Sequence, residues 1–271
     1  MARNLGGEKM ADTTPAAFIE KVIVEAGDIL MSHYARLDPD KIGRKGEIDL
    51  VTEADLESER HIVARIRETF PGHTVHSEEE TFDDEGSHHW IIDPLDGTTN
   101  FAHSLPLFAV SIAYAEGGRT LCGGVYAPRL EEFFFAEEAK GAFLNGEPIH
   151  VSDRQSLRDC VLATGFYYNR RTVKDNNVDA FGRFILEVQG LRRMGVAAID
   201  LAFVACGRLD GFWEPHLSPH DVAAGALIVK EAGGRVTDYL GGNDFMKMRR
   251  IVASNGQIHG AMLSRLEMIP D

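Results

Sequence analysis

Three bulky apolar residues in a row, Trp90-Ile91-Ile92, run straight into Asp93-Pro94-Leu95-Asp96-Gly97-Thr98-Thr99-Asn100, and few folds accommodate that order. A short apolar run closed by turn residues reads as a buried strand. That strand then aims two carboxylates at one spot, because the proline between them fixes φ and stiffens the bend. Gly97 permits a backbone angle that other residues avoid, and Thr98, Thr99 and Asn100 can open a helix whose free N–H groups face the same spot. Carboxylates so placed repel one another unless a cation lies between them. Mg²⁺, a hard ion that takes oxygen ligands, resolves the conflict, and helix N–H groups beside it form a seat for phosphate. Taken alone, Asp-Pro-x-Asp-Gly also fits a plain turn. The aliphatic strand before it and the Thr-Thr-Asn after it favour a site.

The charge balance points the same way. Lys and Arg total 28 against 42 Asp and Glu, a formal charge of -14. Such a surface repels nucleic acid and anionic lipid, so neither is an expected partner. It would also repel a phosphorylated substrate unless cations sit where that substrate binds. Cys122, Cys160 and Cys206 are scattered and odd in number, which predicts reduced thiols in a cytoplasmic protein. The N-terminus lacks the apolar run of a signal peptide, and no stretch reaches the ~20 apolar residues of a membrane span.

Helical spacing of Phe18, Val22, Ala26 and Leu30 predicts an amphipathic helix over 14–35, and a second is expected over 52–70, stopped by Pro71-Gly72. Between them, 38–48 reads as a mobile basic loop. Strands follow at 73–76, 90–92, 109–115, 120–126, 132–136 and 143–151, the last containing an Asn145-Gly146 turn signal. From about Ser156 the rhythm changes to strands (161–165, 211–214, 235–238, 251–253) alternating with helices (178–189, 197–206, 218–232, 258–268). The expectation is an α+β domain over 1–155 that carries most of the metal ligands. An α/β domain over 156–271 would contribute Asp221 and substrate contacts.

Two further acidic clusters stand out, Glu78-Glu79-Glu80 and Glu214 to Asp221. Thr52-x-x-Asp55 and Ser218-Pro219-x-Asp221 both fit helix capping boxes. A carboxylate in a first helical turn is equally well placed to bind a metal or orient a threonine, so the readings coexist. His73, His76, His88 and His89 lack zinc-site spacing and are expected on loops and the surface.

These residues resemble the inositol monophosphatase family of metal-dependent, lithium-sensitive phosphatases. The match rests on Trp90 to Phe101, with Asp49 to Asp55 and Ser77-Glu78-Glu79 upstream. Downstream it includes Gly124 to Pro128, Gly141 to Gly146, Asp221 to Gly225 and Glu231 to Gly234. The resemblance implies a layered αβαβα sandwich, a homodimer, and two to three Mg²⁺ ions. Glu78, Asp93 and the Leu95 carbonyl would hold one ion; Asp93, Asp96 and Asp221 a second; Glu78 would help with a third. Thr98, bonded to Asp55, would orient and help deprotonate the attacking water, and Gly97 and Thr98 N–H groups would seat the phosphate. Asp96, Asp221, Glu214 and the backbone near Ala197 would contact the substrate, and Lys45 would sit on a loop that closes over the metals.

Two departures from the family pattern are visible. His220 precedes Asp221 where many members carry tryptophan, and Ser77 stands where glycine is frequent. Neither removes a metal ligand. Inositol monophosphate is the expected substrate. Histidinol phosphate, fructose 1,6-bisphosphate, NADP and 3′-phosphoadenosine phosphate are alternatives within the same chemistry. A bisphosphate or nucleotide would call for basic or aromatic groups near the pocket. Arg192, Arg193 and 167–171 are candidates, though read here as solvated loop residues. A regulatory role on the transcription machinery is the expectation from another class.

Overall fold

The computed structural model describes residues 13–36, 43–44, 50–78 and 87–266, with 43–44 and 50–51 defined by backbone alone. In chain order the first half comprises α1 (Pro15–His33), β1 (Gly43–Arg44), β2 (Leu50–Val51), α2 (Glu53–Thr69), β3 (Thr74–His76), β4 (His88–Asp96) and α3 (Thr98–Ala102). It continues with β5 (Ala109–Glu116), β6 (Arg119–Ala127), β7 (Glu132–Glu137), β8 (Gly141–Leu144) and β9 (Glu147–Pro148). The second half follows as β10 (Val161–Thr164), α4 (Val178–Ile185), β11 (Gly190–Arg192), α5 (Ala197–Ala205), β12 (Gly211–Pro215) and α6 (Pro219–Glu231). The chain closes with β13 (Arg235–Thr237), α7 (Phe245–Met248), β14 (Arg250–Ser254) and α8 (His259–Leu263).

Strands β3 to β9 form one sheet in sequence order, antiparallel except for the parallel β3–β4 pair. The second sheet has the order β11-β10-β12-β14-β13, with β10 parallel to both its neighbours. Period-2 alternation divides each strand between two cores. Trp90 and Ile92 turn toward α1 and α2, whereas Ile91 turns toward α5 and α6. Phe212 joins that same inner core from the second sheet, while Trp213 faces α4 and α8. The layers are therefore α1/α2, sheet, α5/α6, sheet, α4/α8: the expected αβαβα sandwich. Trp90 and Trp213 are both fully buried, each worth on the order of 2–3 kcal/mol of apolar burial.

Several predicted boundaries shift, for local reasons. The strand expected over 143–151 is a hairpin, because Asn145 and Gly146 both adopt positive φ (50° and 84°) and reverse the chain. Helix α4 stops at Ile185 and α8 at Leu263, while β11 and α7 were not anticipated. Within the expected basic loop, Gly43–Arg44 pairs antiparallel with Leu50–Val51. Among the described residues, no helix is long and apolar enough to cross a membrane.

Candidate active site and metal centre

Strand β4 does not end at Asp93 but continues to Asp96 through a bulge. Asp93 pairs with Ser111 and Asp96 with Ala109, so three residues on β4 span two on β5. In a regular strand, positions three apart face opposite sides of the sheet. The extra residue restores the phase, and both carboxylates emerge on one face. Leu95 N–H donates to Asp93 Oδ1 at 3.0 Å and fixes that turn. Gly97 follows with φ of 93° and opens α3, which the anticipated Thr-Thr-Asn then builds.

Helix α2 enters through its capping box: Asp55 Oδ2 accepts from Thr52 N (2.9 Å) and Thr52 Oγ1 (2.5 Å). The other carboxylate oxygen, Oδ1, accepts from Thr98 Oγ1 at 3.1 Å. Thr98 Oγ1 also lies 3.1 Å from the Leu95 carbonyl, so one hydroxyl proton is shared between two acceptors. Both expected roles of Asp55, as cap and as threonine partner, are present in the geometry.

The third cluster arrives from the other sheet. Glu214 is the penultimate residue of β12, its carboxylate over Gly165, where a Cβ would lie 2.1 Å from Glu214 Oε2. Asp221 sits in the first turn of α6, its Oδ2 accepting from Ser218 N at 2.6 Å. The Ala198 N–H at the start of α5 donates to Asp96 Oδ2 at 2.7 Å, beside the expected Ala197. Glu78, Asp93, Leu95, Asp96, Gly97, Thr98, Ala197, Glu214 and Asp221 line one cavity of about 260 Å³. Asp55 stands behind Thr98. Lys45 lies outside the described residues.

The cavity floor is electrostatically unbalanced. Burial, then repulsion from Asp96, Glu78 and Asp221, pushes the Asp93 carboxyl well above its usual range; only the Leu95 amide opposes this, among the described residues. Burial and Asp221 push Asp96 up likewise. Burial, then Asp221, raises Glu214 to about 8, against relief from Arg193. An all-oxygen donor set of converging, mutually repelling carboxylates fits a hard divalent cation. Asp93, Asp221 and the His220 ring offer ligand atoms within 4.8 Å of one another.

A pH dependence follows. The folded, metal-free chain holds protons that the unfolded chain releases, so its stability falls as pH rises from about 4.5 through about 8, where Glu214 gives up its proton. Thermal unfolding without metal should occur on the order of 5 °C lower near pH 8 than near pH 5. Excess Mg²⁺ should flatten that slope by neutralising the carboxylates. A metal-free melting temperature that rises over this interval would contradict the protonated state of these acids.

One site residue, Arg249, escaped the sequence reading. Arg193, Tyr167 and Tyr168, candidates read there as solvated, line the cavity, Arg193 and Tyr168 from exposed positions; Arg192 is exposed on β11. Arg249 lines it too, donating to the carbonyls of His216 (2.7 Å) and Leu217 (3.3 Å). Tyr167 stacks on His216 with ring centroids 4.8 Å apart. Two of the four histidines also differ from expectation. His76 and His89 are buried and linked at 2.8 Å, while His73 accepts from Trp90 Nε1 at 3.1 Å. His76 and His89 belong to the buried β3–β4 pair, whereas His73 lies in the loop before β3 and His88 stays partly exposed, as expected.

A model of the inositol monophosphatase family matches residues 12–270. Among curated proteins, the "Fructose-1,6-bisphosphatase/inositol-1-monophosphatase" of Thermotoga maritima is 44% identical over 247 residues, covering 89% of this chain and 91% of the relative. The "Nus factor SuhB" of Pseudomonas aeruginosa is 42% identical over 248 residues, covering 89% and 92%. Among solved structures, an inositol monophosphatase from Anabaena superposes with a TM-score of 0.85 at 39% identity, covering 94% of this chain and 96% of that one.

Proposed function

The chain belongs to the inositol monophosphatase family, and from that premise we propose that it is a Mg²⁺-dependent phosphomonoesterase acting on inositol monophosphate or a similar small polyol or sugar phosphate. The observation that carries this reading is the convergence of Glu78, Asp93, Asp96 and Asp221 on one cavity whose wall holds Thr98 bonded to Asp55. Glu78, Asp93 and the Leu95 carbonyl would hold one ion; Asp93, Asp96 and Asp221 would hold a second; Glu78 would help with a third. Bound Mg²⁺ would supply the positive charge that activates the attacking water and stabilises the leaving oxygen of an in-line displacement.

The chain's own groups do the positioning. Thr98 passes its hydrogen to Asp55, which leaves the threonine oxygen free to accept a proton from the attacking water. The Gly97 and Thr98 amides seat the phosphate, and Glu214, Asp96, Asp221 and the Ala197 backbone receive substrate hydroxyls. The site would divide between an N-terminal unit, residues 1–155, and a C-terminal unit, 156–271. We place the enzyme in the cytoplasm as a homodimer, with neither nucleic acid nor membrane as partner.

Arg193 and Arg249 on the cavity wall favour a second reading within the same chemistry. A substrate with a further anionic group, such as fructose 1,6-bisphosphate or 3′-phosphoadenosine phosphate, would find a counter-charge there. Histidinol phosphate would not need one. Phosphate release from inositol 1-phosphate and these three compounds, with and without Mg²⁺ and with added Li⁺, separates the readings. Mg²⁺-dependent, Li⁺-blocked release that favours inositol phosphate is expected. No release from any of them would sink the phosphatase reading and move a regulatory role on the transcription machinery to the front.

A further inference from the structure

His220 occupies the one position in the metal-facing turn of α6 where the chain offers nitrogen. The Ser218 cap and Pro219 at the first helical position set the turn, so His220 and Asp221 are presented together at the cavity. The His220 side chain is only 15% exposed, and its Nε2 lies 3.7 Å from Asp221 Oδ1. That is too long for a hydrogen bond. Two donors bound to one ion at about 2.1 Å each lie no more than ~4.2 Å apart, and the observed separation is within that span. One ligand atom each from Asp93, His220 and Asp221 lies within 4.8 Å of the other two, the single such grouping among the described residues. No side-chain hydrogen bond engages the imidazole among those residues, so its lone pair is not committed elsewhere in the fold.

Resting on the metal-dependent reading above, we propose that His220 is a ligand of the divalent ion held at Asp93 and Asp221, and that its nitrogen raises the affinity of this centre for Mn²⁺ relative to Mg²⁺. Glu78, Asp93, Asp96, Asp221 and the Leu95 carbonyl offer only hard oxygen donors, which suit Mg²⁺ and Mn²⁺ alike. An imidazole adds a borderline donor that Mn²⁺ accepts more readily than Mg²⁺ does. Tryptophan at the same position supplies no lone pair, since its indole nitrogen is a donor only. The exchange of tryptophan for histidine therefore adds a ligand atom without removing one.

The test uses the full-length chain stripped of metal and loaded with Mn²⁺, beside His220→Gln and His220→Trp. Pulsed electron paramagnetic resonance reads nitrogen coupling to the bound ion, calorimetry reads the Mn²⁺ and Mg²⁺ affinities, and circular dichroism checks that each variant is folded. The parent should show nitrogen coupling that both variants lose, with the Mn²⁺/Mg²⁺ affinity ratio falling about tenfold. Mn²⁺ bound without nitrogen coupling in the parent overturns the His220 assignment and leaves the phosphatase reading standing. Failure of the parent to bind any divalent ion overturns both.

Discussion

Asp93→Asn should yield a folded chain that is more stable than its parent without metal and at least about 10³-fold less active with it. Asp93 is buried, and burial together with repulsion from Asp96, Glu78 and Asp221 disfavours its charge. Asparagine keeps the shape, and its amide oxygen can still accept from Leu95 N–H, so the bulge in β4 is retained. Relief of the buried repulsion should raise the metal-free melting temperature by roughly 2–4 °C, the shift expected for ~1 kcal/mol in a chain of this size. The loss of activity follows because Asp93 is the ligand shared by both proposed ions. Removing one preorganised group from a charge-stabilising site already costs ~10²–10³. Calorimetric titration with Mg²⁺ and a metal-free melt test both halves. A variant that binds Mg²⁺ as tightly as the parent removes Asp93 from the centre.

Thr98→Val should separate chemistry from binding. Valine matches threonine in volume but cannot donate to Asp55 Oδ1 or to the Leu95 carbonyl. Asp55 keeps its two contacts to Thr52, so the start of α2 stays capped. The expected loss in kcat is ~10²–10⁴, the range for removing a positioned proton acceptor. The Mg²⁺ affinity and KM should stay within a few-fold of the parent. Thr98→Ser, which restores the hydroxyl, should recover most of the rate. A kcat that barely moves in Thr98→Val would assign the threonine to local structure only.

The parts of the molecule legible in the sequence are those set by contacts close along the chain. The capping boxes at Thr52 and Ser218, the apolar run before Asp93, and the change from α+β to α/β rhythm all depend on residues within a few positions of one another. The bulge between Asp93 and Asp96 was not legible, because it exists only relative to Ser111 and Ala109 on the neighbouring strand. Arg249 escaped, and Arg193 and Tyr167 could not be placed, for a related reason. They come from segments with no motif of their own and reach the cavity through pairings across the second sheet. His76 and His89 misled because polarity is a poor guide to burial when two imidazoles can hydrogen-bond to each other. His76 and His89 do so at 2.8 Å inside the fold.

Helix α6 lies between the two sheets and carries Asp221, while Asp93 and Asp96 belong to the first sheet and Glu214 to the second. Its far end is tied back as well, since Glu231 accepts from the Ala139 and Gly141 amides at 3.0 Å each. A cation gripped by Asp93 and Asp221 would therefore act as a rivet through the middle layers of the sandwich. The pairing of Asp93 with Asp221 cannot exist until the first sheet has packed on the helix, so ion binding would double as a checkpoint that only molecules with that layer docked would pass.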